Sequence, residues 1–136
     1  QTGVTWLIDT FNNMAAEANR NGASIQTSRE DKHRFKVGNS TMVGRLFTMR
    51  NGVRTLFVEA GWPRVPTDGV VSGGGLARGM IRHLGFKSAD AELILTKSTA
   101  GIPTWIILHP TGKRLQLHES SAREQIHILL NEKRTR

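Results

Sequence analysis

His109 and His118 flank the turn at 110–113, and each opens a His-x-Thr/Ser triplet, with Lys113 and Arg114 between them. Two imidazoles, one as base and one as acid, beside cations that hold a phosphorane are the parts of a metal-independent ribonuclease. The spacing argues against that use. His109 adjoins the turn while His118 falls several residues along the other strand, so the two are not cross-strand partners, and alternation can send them to different faces. Metal-assisted hydrolysis needs clustered carboxylates; the acids here are scattered, and Glu30 with Asp31 reads as a loop pair between strands. Cysteine is absent, which excludes disulfides, thiolate zinc sites and a cysteine nucleophile. No Gly-x-Ser-x-Gly elbow or His-Glu-x-x-His pair occurs. No catalytic residue, metal site or cofactor is therefore expected, and a small nuclease built on His109 and His118 stands only as an alternative.

The second candidate is the stretch SGGGLARGMIRHLGF, residues 72–86. Gly73, Gly75 and Gly79 can be spelled as a dinucleotide fingerprint, but that motif needs a strand directly before it and a parallel sheet after it. What precedes it is a loop rich in proline and glycine, and no Gly-Lys-Ser/Thr follows to make a Walker loop. What remains is an expected helix from Leu76, with Gly73 to Gly75 letting an anion approach its N-terminus. Arg78 and Arg82, one helical turn apart, would then share the face opposite Leu76, Met80 and Leu84. On this reading Gly74, Gly75, Arg78 and Arg82 form a phosphate-contact patch; the plainer one makes the glycines a hinge and the arginines a solvated face.

Charge supports a polyanionic partner. Lysine and arginine number 19 against 11 acids, for a net +8, and arginine outnumbers lysine 13 to 6. The planar guanidinium pairs bidentately with phosphate, so the bias points beyond solubility. Arg45, Arg50 and Arg54 cluster near one hairpin turn and Lys113 and Arg114 near another, placed to follow a sugar-phosphate backbone. Trp62, beside Arg64 in AGWPR, is the tryptophan expected to be exposed and able to stack on a base, whereas Trp6 and Trp105 read as packing residues.

These side chains need elements to position them. Val4, Leu7, Phe11, Met14, Ala15 and Ala18 lie on one face of a helix over 4–20 that Gly22 ends. Strands are expected in ASIQTS, HRFKVG, TMVGRLFTM and VRTLFVEA, the last two forming a hairpin over 41–59 around Asn51 and Gly52. A long loop over 61–75 leads to the expected second helix. Strands in AELILTK, PTWIILH and RLQLH follow, and then a third helix with Ser121 and Glu124 as a capping box. The order helix, three or four strands, helix, three strands, helix predicts an α+β fold with antiparallel sheet. MRNGVRTLFVE and HPTGKRLQLHE echo each other at an offset of 60, so an internal duplication of a helix-plus-hairpin unit is also considered.

At 136 residues one domain is expected, over 1–136, with a frayed basic tail at 133–136. The chain begins with Gln1, which suggests a processed product or an excised piece and leaves localisation open, a cytoplasmic one being favoured. The expected role is a non-catalytic nucleic-acid-binding module, DNA or RNA, acting through backbone phosphates. The first alternative is a protein-interaction or dimerisation domain that binds a peptide or an acidic partner. Neither a membrane nor a small-molecule ligand is expected as a partner.

Overall fold

The computed structural model describes residues 2–63, 77–86, 89–97, 100–108 and 111–130. Helix α1 (Thr2–Arg20) leads into seven strands: β1 (Gln26–Val37), β2 (Ser40–Asn51), β3 (Arg54–Pro63), β4 (Ala77–His83), β5 (Ala91–Lys97), β6 (Pro103–Leu108) and β7 (Arg114–Gln116). Helix α2 (Glu119–Leu129) follows. The strands form one antiparallel sheet in sequence order, each paired with its neighbours along the chain.

The described residues are thus mostly β with two helices, not the expected α+β arrangement of three helices around separate groups of strands. The element responsible is β4. Leu76, Ala77, Met80, Ile81 and Leu84 recur at helical spacing, but Ala77, Gly79, Ile81 and His83 are the buried positions, alternating with Arg78, Met80 and Arg82. A segment flanked by β3 on one side and β5 on the other gains two hydrogen-bonded ladders, and that tertiary context overrides helical periodicity. Among the described residues no helix stands between β3 and β5, so the repeated helix-plus-hairpin unit is not seen there. The two expected strands at the start merge into one, β1, whose ladder with β2 is interrupted between Glu30 and His33. Glu30 and Asp31 therefore sit at a β-bulge rather than in a loop.

Both helices pack on one face of the sheet. Along α1, Val4, Leu7, Ile8, Phe11, Met14 and Ala15 are buried against Phe47, Met49, Leu56, Val58, Ile81, Leu93, Leu95 and Trp105 of the strands, and Ala122, Ile126 and Leu129 of α2 complete this core. Gly22, at φ 105, ends α1, and the Asn19 side chain brackets the backbone of Ile25 at 3.0 and 2.7 Å to turn the chain into β1. Trp105 Nε1 donates to the Gly3 carbonyl at 2.9 Å, and Asn51 donates to the Leu129 carbonyl at 3.3 Å, so each helix is tied to the sheet at one of its ends. The third expected cap is displaced: α2 begins at Glu119, and Ser121 Oγ accepts from the His118 N–H at 3.2 Å.

The opposite, uncovered face is not flat. Met42 on β2 and Ile94 on β5 belong to one small buried cluster with Phe35, Val37, Ile106 and Leu108, although β3 and β4 lie between them. Only a sharply coiled sheet brings those side chains together. Gly44 and Gly61 stand opposite each other on β2 and β3. A Cβ on Gly44 would lie 1.9 Å from the Ala60 carbonyl oxygen, so the backbones approach more closely there than any other residue allows.

Candidate functional site

In an antiparallel meander alternate turns share an end. The turns β2–β3, β4–β5 and β6–β7 therefore lie at the same end of the sheet, together with the start of β1. That end carries Arg50 and Arg54 on one turn and Lys113 and Arg114 on another, two pairs distant in sequence, with Arg114 set by the register in the row of Glu59 and Leu46 rather than in that of Arg50. Asn51 pairs with Arg54 and Arg50 with Thr55, so the two arginines straddle the first hairpin, Arg54 toward the helices and Arg50 toward the open face. Arg114 pairs with Leu108 and also faces the open side. Arg50, Lys113 and Arg114 are exposed and Arg54 is half-buried; none of the four holds an ion pair among the described residues. Adjacent strands lie about 4.8 Å apart, so the line from β3 to β7 spans roughly 19 Å along the sheet.

Arg78 and Arg82 do share a face, for a reason other than the one expected. In β4 the repeat is two residues, and Arg78, Met80 and Arg82 all point to the open side. Arg82 lies nearer the turn end, half-exposed, with Nη2 3.6 Å from Glu59 Oε1 and its guanidinium 5.6 Å over the Phe57 ring. Arg78 sits farther from that end and is half-buried. The glycines of the expected patch, at 73–75, lie outside the described residues.

Beside Arg82 is a polar chain that sequence reasoning missed. Glu59 is buried on β3, its Oε2 2.7 Å from His33 Nε2, while His33 Nδ1 lies 2.9 Å from Glu30 Oε2. With both ring nitrogens within hydrogen-bond reach of a carboxylate, His33 fastens the bulged edge strand across β2 to β3. Its ring stacks on Phe35 at 5.6 Å. The signal that could have found this chain is an acid, Glu59, inside the apolar run LFVEA.

Two expected site residues have other tasks. Arg45 donates to Thr5 of α1 at 3.2 Å and lies 3.8 Å from Asp31, which makes it a strut between helix and sheet. Trp62 is not exposed: it is half-buried on β3 and packs against the main core, lining a cleft of about 280 Å³ with His33 and Arg34. Trp6, expected to pack, is the exposed tryptophan, at 42%. Arg64, Gly74, Gly75 and His109 lie outside the described residues, as does the tail at 133–136.

The turn end also carries three apolar side chains that the sequence reading passed over. Val53, at the hairpin tip, is 97% exposed, Leu84 66% and Phe86 47%. Leu84 and Phe86 belong to a well-bonded turn: the Leu84 N–H donates to the Thr55 carbonyl at 3.0 Å and the Phe86 N–H to the His83 carbonyl at 3.0 Å. Asp90 closes it by accepting from the His83 N–H at 2.8 Å. An apolar residue in the turn NGVR was the available signal, since turn positions favour polar residues.

Elsewhere, a cleft of about 470 Å³ between the helices is lined by Met14, Ala18, Ile126 and Leu130, with the Glu17–Arg123 ion pair at 2.7 Å on its rim. Among the described residues no group of three or more histidine, aspartate or glutamate side chains could hold a metal ion. No described helix is long and apolar enough to cross a membrane. Comparison with known proteins found no matching family model, no matching curated protein and no matching solved structure.

Proposed function

We propose that this chain is a non-catalytic nucleic-acid-binding module that grips backbone phosphates with the turn end of its sheet. The observation that supports the reading is the placement of Arg50, Arg54, Lys113 and Arg114 on two turns at the same end of the sheet, without acidic partners among the described residues. Unpaired guanidinium groups held on short, hydrogen-bonded hairpins keep their charge at fixed spacing, which is what a regular line of phosphates rewards. Arg82 adds a fifth cation, already oriented by Phe57 and Glu59. Arg45 and Trp62 drop out of the interface, being committed to the fold.

The test is fluorescence anisotropy with labelled single-stranded DNA, duplex DNA and duplex RNA over a range of salt, each strand recovered afterwards. Binding should weaken steeply with salt, and replacing Arg50, Arg54, Lys113 and Arg114 by glutamine should flatten the slope by about one unit for each phosphate contact removed. Arg45→Gln should leave the slope unchanged. No binding at low salt, or a slope indifferent to the four substitutions, would sink the proposal; cleaved strands would refute its non-catalytic part.

A further inference from the structure

Resting on that reading, we infer that the ligand is duplex DNA, and that Val53 and Leu84 enter its minor groove as a wedge that parts one base step and bends the helix. The arginines explain an attraction to phosphate but not the apolar residues set among them. Val53 is almost wholly exposed and touches no core, so folding gains nothing from a branched aliphatic side chain at that tip. Leu84 stands on the neighbouring turn, tied by its N–H to Thr55, which lies two residues from Val53. The two thus stand exposed on neighbouring turns at one end of the sheet.

The chemistry of these side chains narrows the ligand. Single strands are held by stacking on π faces, which valine and leucine lack. Aliphatic wedges flanked by arginine act instead on stacked pairs: they unstack a step from the minor groove, and the bend brings flanking phosphates onto the protein. The placement of charge agrees. Among the described residues the cations step diagonally across the sheet, from Arg54 and Arg50 beside Val53, past Arg82, to Lys113 and Arg114 two turns away, a course that a phosphate track bent toward the sheet could follow. Backbone hydrogen bonds already hold Leu84 to Thr55 and Phe86 to His83, which lowers the ordering needed on contact.

The experiment uses short duplexes carrying a dye at each end, one with a central TA step and one with a stiff A-tract. Energy transfer reports bending, and anisotropy on the same samples reports binding. The wild-type chain should raise energy transfer on the TA duplex more than on the A-tract, because pyrimidine–purine steps kink most easily. Val53→Ser with Leu84→Ser should bind with an unchanged salt slope yet raise energy transfer little or not at all. Both residues are exposed, and a thermal melt matching wild type verifies that the variant is folded.

Binding by wild type without a change in energy transfer, or equal bending by the serine variant, would overturn the wedge and leave the phosphate grip standing. Failure of wild type to bind any nucleic acid at low salt would end both readings. Binding to vesicles of phosphatidylserine and phosphatidylcholine with no binding to duplex would do the same, and would assign the apolar tips to a lipid surface.

Discussion

The two faces of this sheet are written on the same strands, residue by alternate residue, and they follow different rules. On the covered face Phe47, Met49, Leu56, Val58, Ile81, Leu93 and Leu95 join α1 and α2 in one dry core. On the open face the partner positions hold Glu30, Leu46, Glu59, Met80, Glu92, Leu108 and Arg114 in a single cross-strand row, charged and apolar side chains interleaved. The first face supplies stability through area removed from water. The second supplies a fixed pattern of charge, which only a rigid backbone beneath it can keep in register. A sheet with helices on both sides would hide that pattern, and one with none could not hold it still.

The comparison is broken most severely from the covered side. Phe47 is 1% exposed, and Phe47→Ala should cost about 3–5 kcal/mol, the range for truncating a buried aromatic. Phe57, one register row away on the open face and half-buried, should cost about half as much when truncated, since less area returns to water. Urea unfolding of both variants measures the difference, and equal losses would mean that the open face carries as much of the core as the covered one.

Gly44→Ala attacks the geometry that the two faces share. The new Cβ would fall on the Ala60 carbonyl and 2.5 Å from the Gly61 Cα, so the strands must part and the coil that buries Met42 against Ile94 must relax. The expected loss is about 3 kcal/mol, the upper part of the range for overpacking. Near-UV circular dichroism should show the tryptophan environment altered at Trp62, next to Gly61, while far-UV strand content persists. A variant as stable as wild type would show that the glycine pair is not what bends the sheet.

How much of this could be read from the chain depends on how each element is buried. α1 was legible because one face of a helix meets the core and the other meets water, so Val4, Leu7, Phe11 and Met14 mark the period directly. The β2–β3 hairpin was legible through Asn51 and Gly52, whose turn needs the positive φ of 63 that Gly52 adopts. β4 was not. Its core-facing positions are Ala77, Gly79, Ile81 and His83; a Cβ at Gly79 would lie 3.0 Å from the Glu59 carbonyl oxygen, with Ala60 and the Trp105 ring at 3.5 Å, and His83 is tolerated because Gln125 accepts from or donates to its ring. Half of the inward side chains are thus shaped by partners far along the chain, and no local window contains them. β1 was split in two because an edge strand with a bulge is exposed on nearly every residue as far as Lys32, which erases alternation. The charged ends of two hairpins were visible, but that they share an end follows from the meander, and the meander follows from β4 being a strand.

Glu59 is the buried carboxylate of the open face. Glu59→Gln keeps the shape but removes the charge that faces His33 at 2.7 Å and Arg82 at 3.6 Å. About 1–2 kcal/mol should be lost, as for other part-buried groups left with a poorer partner. Glu30→Gln, on the solvent side of the same histidine, should lose no more than about 1 kcal/mol. If Glu59→Gln costs nothing while ligand affinity falls, the chain of Glu30, His33 and Glu59 belongs to the binding surface and not to the scaffold.

The smallest expected change in stability sharpens the comparison furthest. Arg50→Gln and Arg114→Gln remove charges that are exposed and unpaired among the described residues, so each should alter unfolding free energy by no more than about 0.5 kcal/mol. Lowering a concentrated positive field should, if anything, relieve repulsion at the turn end and stabilise the fold slightly. Duplex affinity at low salt should nevertheless fall several-fold for each and fall further for both together, with the salt slope lowered in step. Stability and affinity would then divide between the two faces: Phe47→Ala lowers the midpoint of unfolding but, where the chain remains folded, leaves the salt slope alone, and the arginine variants do the reverse. A charge-reversing pair, Arg50→Glu with Arg114→Glu, makes the point without relying on small differences. It leaves the covered core untouched, and binding that survived it would place the contact elsewhere on the molecule.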